Sequence, residues 1–189
     1  MVGLESPSNG CIYYDGRNLS ELDTQQLRRN CGIVIQNGRI RQGSIYENIV
    51  GSHPLTEADA WDAVRMAGFE EDIREMPMGM HTVLQQGGGS LSGGQRQRLM
   101  IARAMVTRPR IFFFDEATSA LDNRTQAIVT ESLKELQATR VAIAHRLSTI
   151  KDADAIYVLV EGQVVQFGTY DSLLSQEGPF SALAKRQLV

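Results

Sequence analysis

Basic excess, thiols and long apolar runs are all scarce in this sequence, and each scarcity removes a class of function. Lysine and arginine total 19 against 22 aspartates and glutamates, a net charge of −3 with a pI near 5.6. No global positive field draws the chain to nucleic acid or anionic lipid, and no nucleic-acid partner is expected. Cys11 and Cys31 are the only cysteines and their spacing suits no metal, so they read as reduced thiols. No apolar run nears the roughly 20 residues of a membrane span, and the N-terminus lacks the charged-then-apolar layout of a secretion signal. The chain itself reads as soluble. Repeats and low-complexity segments are missing too, the one glycine-dense patch being Gly87-Gly88-Gly89. What is left, 189 residues at 42% hydrophobic content, can bury the core of one ordinary domain with a smaller lobe attached.

The most informative stretch is Leu91-Ser92-Gly93-Gly94-Gln95, running directly into Arg96-Gln97-Arg98-Leu99. A serine and two glycines followed at once by a helical pattern put exposed backbone N–H groups and a hydroxyl at a helix N-terminus, which suits a phosphate. A flexible Gly/Ser turn is the other reading of the same three residues. The second informative point is Ile111-Phe112-Phe113-Phe114, followed by Asp115-Glu116. A short, continuously apolar run reads as a strand buried on both faces of a parallel sheet. Ligands gather at the carboxyl ends of strands in open α/β sheets, and two carboxylates placed there are costly to leave unpaired. A metal ion and a polarised water are their natural partners, a buried structural acid pair the alternative.

The rest of the chain arranges itself around these two points. Residues 11–14 read as a short strand closed by Asp15-Gly16, residues 19–29 as a short helix, and residues 32–35 as a strand ending at Gln36. Residues 56–91 predict a small helical lobe: Thr56 and Asp59 stand at capping-box spacing, Ala60, Ala63, Val64 and Ala67 share a face, and Gly68 stops the helix. After residue 95, Leu99, Ala102, Met105 and Val106 form a buried stripe, while Arg96, Arg98, Arg103 and Arg108 read as a solvated, paired face. Asp122 can cap a helix carrying Val129, Leu133 and Leu136, residues 141–144 read as a buried strand with His145 at its end, and residues 155–160 and 163–167 as two more strands. Thr169 caps a helix and Pro179 opens the last one.

Taken together, LSGGQRQRL, the acid-ended apolar strand and the intervals between them resemble the ATPase domain of ABC transporters, and GSIYENIVG and IAHRLSTI are similar to the exporter type. The resemblance implies an α/β fold of P-loop NTPase type, a mostly parallel sheet flanked by helices, with a helical subdomain over residues 52–91 and a core lobe over 1–51 and 92–189. It implies ATP and magnesium as ligands. Gln36 falls at the Q-loop, whose amide reaches both magnesium and the attacking water, Asp115 at the magnesium position of the Walker B strand, Glu116 at the base for the attacking water, and His145 at the H-loop that meets the γ-phosphate. Ser92, Gly93, Gly94 and Gln95 fall at the signature, which faces a neighbouring domain's nucleotide, and Asp122 at the D-loop between two nucleotide sites, where it could equally be a helix cap alone. The implied partners are a second ABC ATPase domain, paired head to tail, and a transmembrane domain. The implied place is the cytoplasmic face of a membrane. Gln36-Asn37-Gly38 and the helical lobe look most like exporters of bacteriocin-type leader peptides.

Two features depart from the family pattern. Exporters commonly show Gly-Glu-Arg-Gly where this chain has Gln85-Gln86-Gly87-Gly88, so an acid and a base that contact the transmembrane part are replaced. No Gly-x-x-x-x-Gly-Lys-Ser/Thr occurs in the 189 residues, so the phosphate-wrapping loop is missing from them. The chain is therefore expected to start partway through a domain, to lack normal ATP binding and hydrolysis on its own, and to expose unpaired sheet edges through which it self-associates. A non-catalytic partner domain, supplying its signature in trans, is the alternative reading. A chromosome- or repair-type ATPase would need a long coiled-coil insertion between Gln36 and Leu91, where only a compact lobe is found.

Overall fold

A computed structural model describes residues 1–35, 38–115, 121–144 and 147–187. The chain divides into two compact units, Met1–Val141 and Ala142–Val189.

The first unit opens with strands β1 (Tyr13–Tyr14) and β2 (Arg17–Asn18), paired antiparallel. Their connection is Asp15-Gly16, with φ of +48° and +78°, the pair of left-handed residues that a tight hairpin of matching twist requires. The helix expected over 19–29 is broken: a 3₁₀ turn covers Leu19–Glu21, and α1 (Thr24–Arg29) restarts because Asp23 accepts the N–H groups of Gln25 and Gln26. Then follow β3 (Cys31–Val34), β4 (Gly43–Ser44), α2 (Ile45–Val50), α3 (Glu57–Met66), α4 (Glu70–Glu75), β5 (Val83–Leu84), α5 (Gly93–Met105), β6 (Ile111–Asp115), α6 (Asn123–Glu135) and β7 (Thr139–Ile143). The unit boundary falls inside β7.

The sheet that positions the site has the order β3-β6-β7. β3 and β6 run parallel, Cys31 opposite Ile111 and Val34 opposite Phe114, so their carboxyl ends lie side by side. One face is dry: Val34, Phe112 and Phe114 are buried and join Leu99, Ala102 and Met105 of α5 in a single core. The burial expected on both faces of residues 111–114 holds for this face only, since Ile111 and Phe113 are half-buried and Ile33 is exposed. β7 starts two residues before its expected position, Thr139 N–H donating to the Arg110 carbonyl. It is also mostly exposed rather than buried, as suits the last strand in the order.

α5 approaches β3 closely enough that a Cβ on Gly32 would lie 2.7 Å from the Ala104 carbonyl oxygen and 2.6 Å from the Phe112 ring, so this position admits no side chain. The helical lobe shares the same core. Ala60, Ala63, Val64 and Ala67 of the expected stripe are fully buried, with Phe69, Ile73 and Met80. Thr56 and Asp59 form the expected reciprocal capping box, and Gly68 takes φ +65° at the helix end. Trp61 lies at the edge of this core, donating to Glu57 and carrying the Arg74 guanidinium 4.9 Å above its ring.

Arg98 and Arg103 are not the solvated residues their spacing suggests. Arg103 donates to the Asn48 carbonyl (2.6 Å), to Asn48 Oδ1 (2.8 Å) and to the Arg39 carbonyl (3.1 Å), and burial holds its guanidinium below its ordinary pKa. Asn48 is itself buried and donates to the Arg41 and Ser44 carbonyls. Arg103 thus ties α5 to α2 and to the loop before it.

The second unit holds α7 (Leu147–Ile150), β8 (Ile156–Val160), β9 (Gln163–Gly168), α8 (Tyr170–Leu174) and α9 (Pro179–Gln187). β8 and β9 form an antiparallel hairpin around Glu161-Gly162. Ile156, Leu173, Phe180 and Ala184 make its small core with Leu147, and the Tyr157 and Phe167 rings meet across the strands on an exposed face, tilted by 37°. Among the described residues no helix is long and apolar enough to cross a membrane.

Candidate functional site

The signature residues start α5 as the sequence predicts. Ser92 is the N-cap; its Oγ accepts the Gln95 N–H (3.2 Å), and Gln95 Oε1 accepts the Ser92 N–H (2.9 Å), a complete capping box. Arg96 N–H to the Ser92 carbonyl is the first intrahelical bond. The Gly93 and Gly94 N–H groups precede it, at the positive end of a thirteen-residue helix. Gly93 is exposed, with nothing within 4 Å of where a Cβ would stand. The corner therefore offers two glycine amides, open space and a serine hydroxyl whose proton the capping box does not use.

Gln95 has a different task. Its Oε1 holds Ser92 and its Nε2 donates to Asp72 Oδ1 at 2.9 Å, so both ends of the amide work within the fold.

Asp122 caps α6. Its Oδ1 accepts the Thr125 N–H (2.8 Å) and its Oδ2 the Thr125 hydroxyl (3.1 Å). These bonds, the backbone one first, hold its carboxyl below the ordinary aspartate value, with a smaller contribution from the Arg98 charge.

Asp115 ends β6, half-buried, at the carboxyl end of the sheet and beside the end of β3. Gln36 follows one residue beyond Ile35, Glu116 directly follows Asp115, and His145 directly follows Ala144; all three lie outside the described residues. Among the described residues no three histidine, cysteine, aspartate or glutamate side chains gather closely enough to hold a metal ion. An open cleft of about 410 Å³ lies elsewhere, lined by Arg39, Ile40, Arg41, Gln42, Gln86 and Gly87, none of them a residue that the sequence singles out for catalysis or nucleotide binding.

Sequence reasoning missed Asp72 and Arg98. Arg98 pairs with Asp72 at 2.9 Å, with both side chains mostly buried, and reaches the Thr125 hydroxyl at 3.4 Å. No local signal joins residue 72 to residues 95 and 98; only the packing of α4 on α5 does.

Comparison with known proteins agrees with this geometry. The family model for ABC transporters matches residues 1–119. The chain is 41% identical over 184 residues to ABC transporter B family member 2 of Dictyostelium discoideum, covering 96% of this chain and 13% of that protein. It is 42% identical over 174 residues to the alpha-hemolysin translocation ATP-binding protein HlyB of Escherichia coli, covering 90% of this chain and 25% of that one. The solved structure of a bacterial Atm1-family ABC exporter with ATP bound superposes with a TM-score of 0.94 at 34% identity, over 100% of this chain and 33% of that chain. The chain thus spans about a quarter or less of the length of these curated relatives. With the family model matched over well over half of its residues and the fold shared with a solved exporter, the chain belongs to the ABC transporter family.

Proposed function

We propose that these residues form part of the ATP-binding, ATP-hydrolysing component of an exporter that moves a substrate across a membrane. The observation that carries the reading is the 92–95 corner, where two glycine amides and a capped serine stand at an exposed helix start. Relatives named for alpha-hemolysin and leukotoxin translocation favour a peptide or protein as cargo.

In this reading Ser92, Gly93 and Gly94, braced by Gln95, face the phosphates of a nucleotide held by a second ABC ATPase domain paired head to tail. Asp122 stands between the two nucleotide sites. Asp115 and Gln36 would hold magnesium; a carboxylate and an amide oxygen are the hard donors it prefers. When bound, that ion neutralises phosphate charge. Glu116 takes the proton of the attacking water, Gln36 orients that water, and His145 meets the γ-phosphate. A transmembrane domain completes the transporter, with this component on the cytoplasmic face. The described part of residues 52–91 serves as the helical subdomain, its core continuous with that of α5.

One observation favours a narrower role for the chain as it stands: its 189 residues contain no Gly-x-x-x-x-Gly-Lys-Ser/Thr. On their own these residues contribute a signature in trans and do not turn over ATP. The test is magnesium-dependent ATPase activity, measured on the chain alone and on the chain joined behind a segment carrying that motif. No turnover is expected from the first. In the second, Glu116→Gln should slow hydrolysis roughly 10²- to 10⁴-fold with ATP binding retained. Turnover by the chain alone that Glu116→Gln abolishes would overturn the narrower role, and equal loss of binding and turnover in the joined chain would make Glu116 structural.

A further inference from the structure

Three elements of the first unit, α4, α5 and α6, meet in one chain of hydrogen bonds. It starts at the Ser92 and Gln95 capping box, passes from Gln95 Nε2 to Asp72 Oδ1 on α4 at 2.9 Å, and crosses to Arg98, whose guanidinium lies 3.0 Å from the same oxygen and 2.9 Å from Asp72 Oδ2. Arg98 continues to the Thr125 hydroxyl at 3.4 Å, and Thr125 ends the chain on both carboxylate oxygens of Asp122. The ends of the path at Ser92 and Asp122 are exposed, and its middle is mostly buried. Thr125 is 4% exposed, and the Asp72 and Arg98 side chains are 24% and 16% exposed.

The surroundings fix these groups in place. The Arg98 guanidinium lies over the Phe69 ring, centroid distance 5.6 Å, and Phe69 is fully buried. Arg98 Nε is buried and makes no hydrogen bond among the described residues, so the guanidinium is oriented by Asp72 and Thr125 rather than by its own best solvation. Gly68, at the turn before α4, lies against Thr125 and Ile128, a Cβ there standing at ordinary contact distance, 3.4 Å, from Thr125 Cγ2. The lobe therefore touches both helix starts at once.

We propose that Asp72 and Arg98 are positioning residues that lock the 92–95 corner to the Asp122-capped start of α6, so that the two helix starts are set by one carboxylate of the helical lobe. The inference rests on reading both starts as nucleotide-facing, but the linkage exists without nucleotide. Arginine is needed because its planar fork holds Asp72 with one nitrogen and reaches Thr125 with another; a lysine's donors all sit on one nitrogen, which cannot stand at both places.

The test is amide hydrogen exchange by NMR on the full chain without nucleotide, so its failure and failure of the ATP reading are separate results. The amides read are Gln95 N–H, held by Ser92 Oγ, and Thr125 N–H, held by Asp122 Oδ1. Asp72→Ala should speed exchange at both by about tenfold, with the Ile73 and Phe113 amides as unmoved references. Asp62→Ala removes the exposed ion pairs of the same lobe with Arg65 and Arg108, and should move neither. Arg98→Lys should keep Gln95 as protected as in the parent and speed exchange at Thr125, and the Asp72→Ala, Arg98→Ala double variant should match the Asp72→Ala single one rather than add to it. Where Asp72→Ala fails to fold, Arg98→Lys is sufficient by itself to decide between the outcomes. A rise at Gln95 with Thr125 unchanged in Asp72→Ala, a uniform rise at all amides, or a Thr125 amide untouched by Arg98→Lys would overturn the proposal.

Discussion

The starts of α5 and α6 are both well capped, and the caps differ in charge. At α5 a neutral serine and glutamine close the box, and the helix's first turn carries no acidic residue of its own, the nearby Asp72 carboxylate being held by Gln95 and Arg98. At α6 an aspartate fills the same structural role, and its carboxylate already answers the dipole and the Thr125 donors. The same backbone geometry thus yields one start with a neutral cap and another that supplies its own negative charge. A cap residue can be neutral for stability and decisive for ligand choice.

The sharpest way to break this contrast is to make α5 resemble α6. Aspartate caps a helix about as well as serine, so Ser92→Asp should leave stability within roughly 0.5 kcal/mol of the parent. Its carboxylate would nonetheless fill the phosphate position. In an assembly whose partner domain brings the P-loop, hydrolysis should fall on the order of 10²-fold, the scale of losing a preorganised donor, read by phosphate release beside a thermal melt. Unchanged turnover would mean the corner does not face phosphate.

Ser92→Ala separates the two roles differently. Losing the cap should cost about 1 kcal/mol, visible in urea denaturation and nearly the same at every pH, because neither Ser92 nor Gln95 titrates. A loss that varies with pH would show that a titrating neighbour, not the serine hydroxyl, holds the corner.

The smallest effect is the pH dependence at α6. Hydrogen bonds from Thr125 lower the Asp122 pKa, so its stabilising contribution is full above the ordinary aspartate value and is lost as pH falls through the depressed folded value. Asp122→Asn should be less stable than the parent at neutral pH and converge with it in acid. Glu47 and Asp59, lowered by their own capping bonds to Ser44 and Thr56, titrate in the same direction and set the acid edge for α2 and α3. A difference between Asp122→Asn and the parent that persists unchanged into acid would contradict the carboxylate's role.

Much of the fold was legible because capping is local. Thr56 and Asp59 lie three residues apart and form the capping box their spacing implies, and Asp122 caps its helix as expected; the bonds of Ser92 with Gln95 and of Asp122 with Thr125 have the same three-residue spacing. The two strands themselves were legible as short apolar runs, but their parallel pairing, Cys31 opposite Ile111 and Val34 opposite Phe114, is seen only in the structure. What stayed hidden depends on distant partners. Arg98 and Arg103 read as surface charge because Asp72 and Asn48, which enclose them, come 26 and 55 residues earlier. β7 read as buried because its apolar residues 141–144 do not reveal that it ends the strand order. Of the expected site, the 92–95 corner, Asp115 and Asp122 can be followed in the structure; Gln36, Glu116 and His145 lie outside its described residues.

The central claim, that the α5 start meets a phosphate brought by another domain, is tested most directly by following backbone amide resonances of the labelled chain against magnesium-ATP and a P-loop-bearing ABC ATPase domain. The Gly93 and Gly94 amides should shift only when nucleotide and partner are both present. Shifts produced by the partner alone, or a complete complex that leaves both glycine amides where they were, would contradict it.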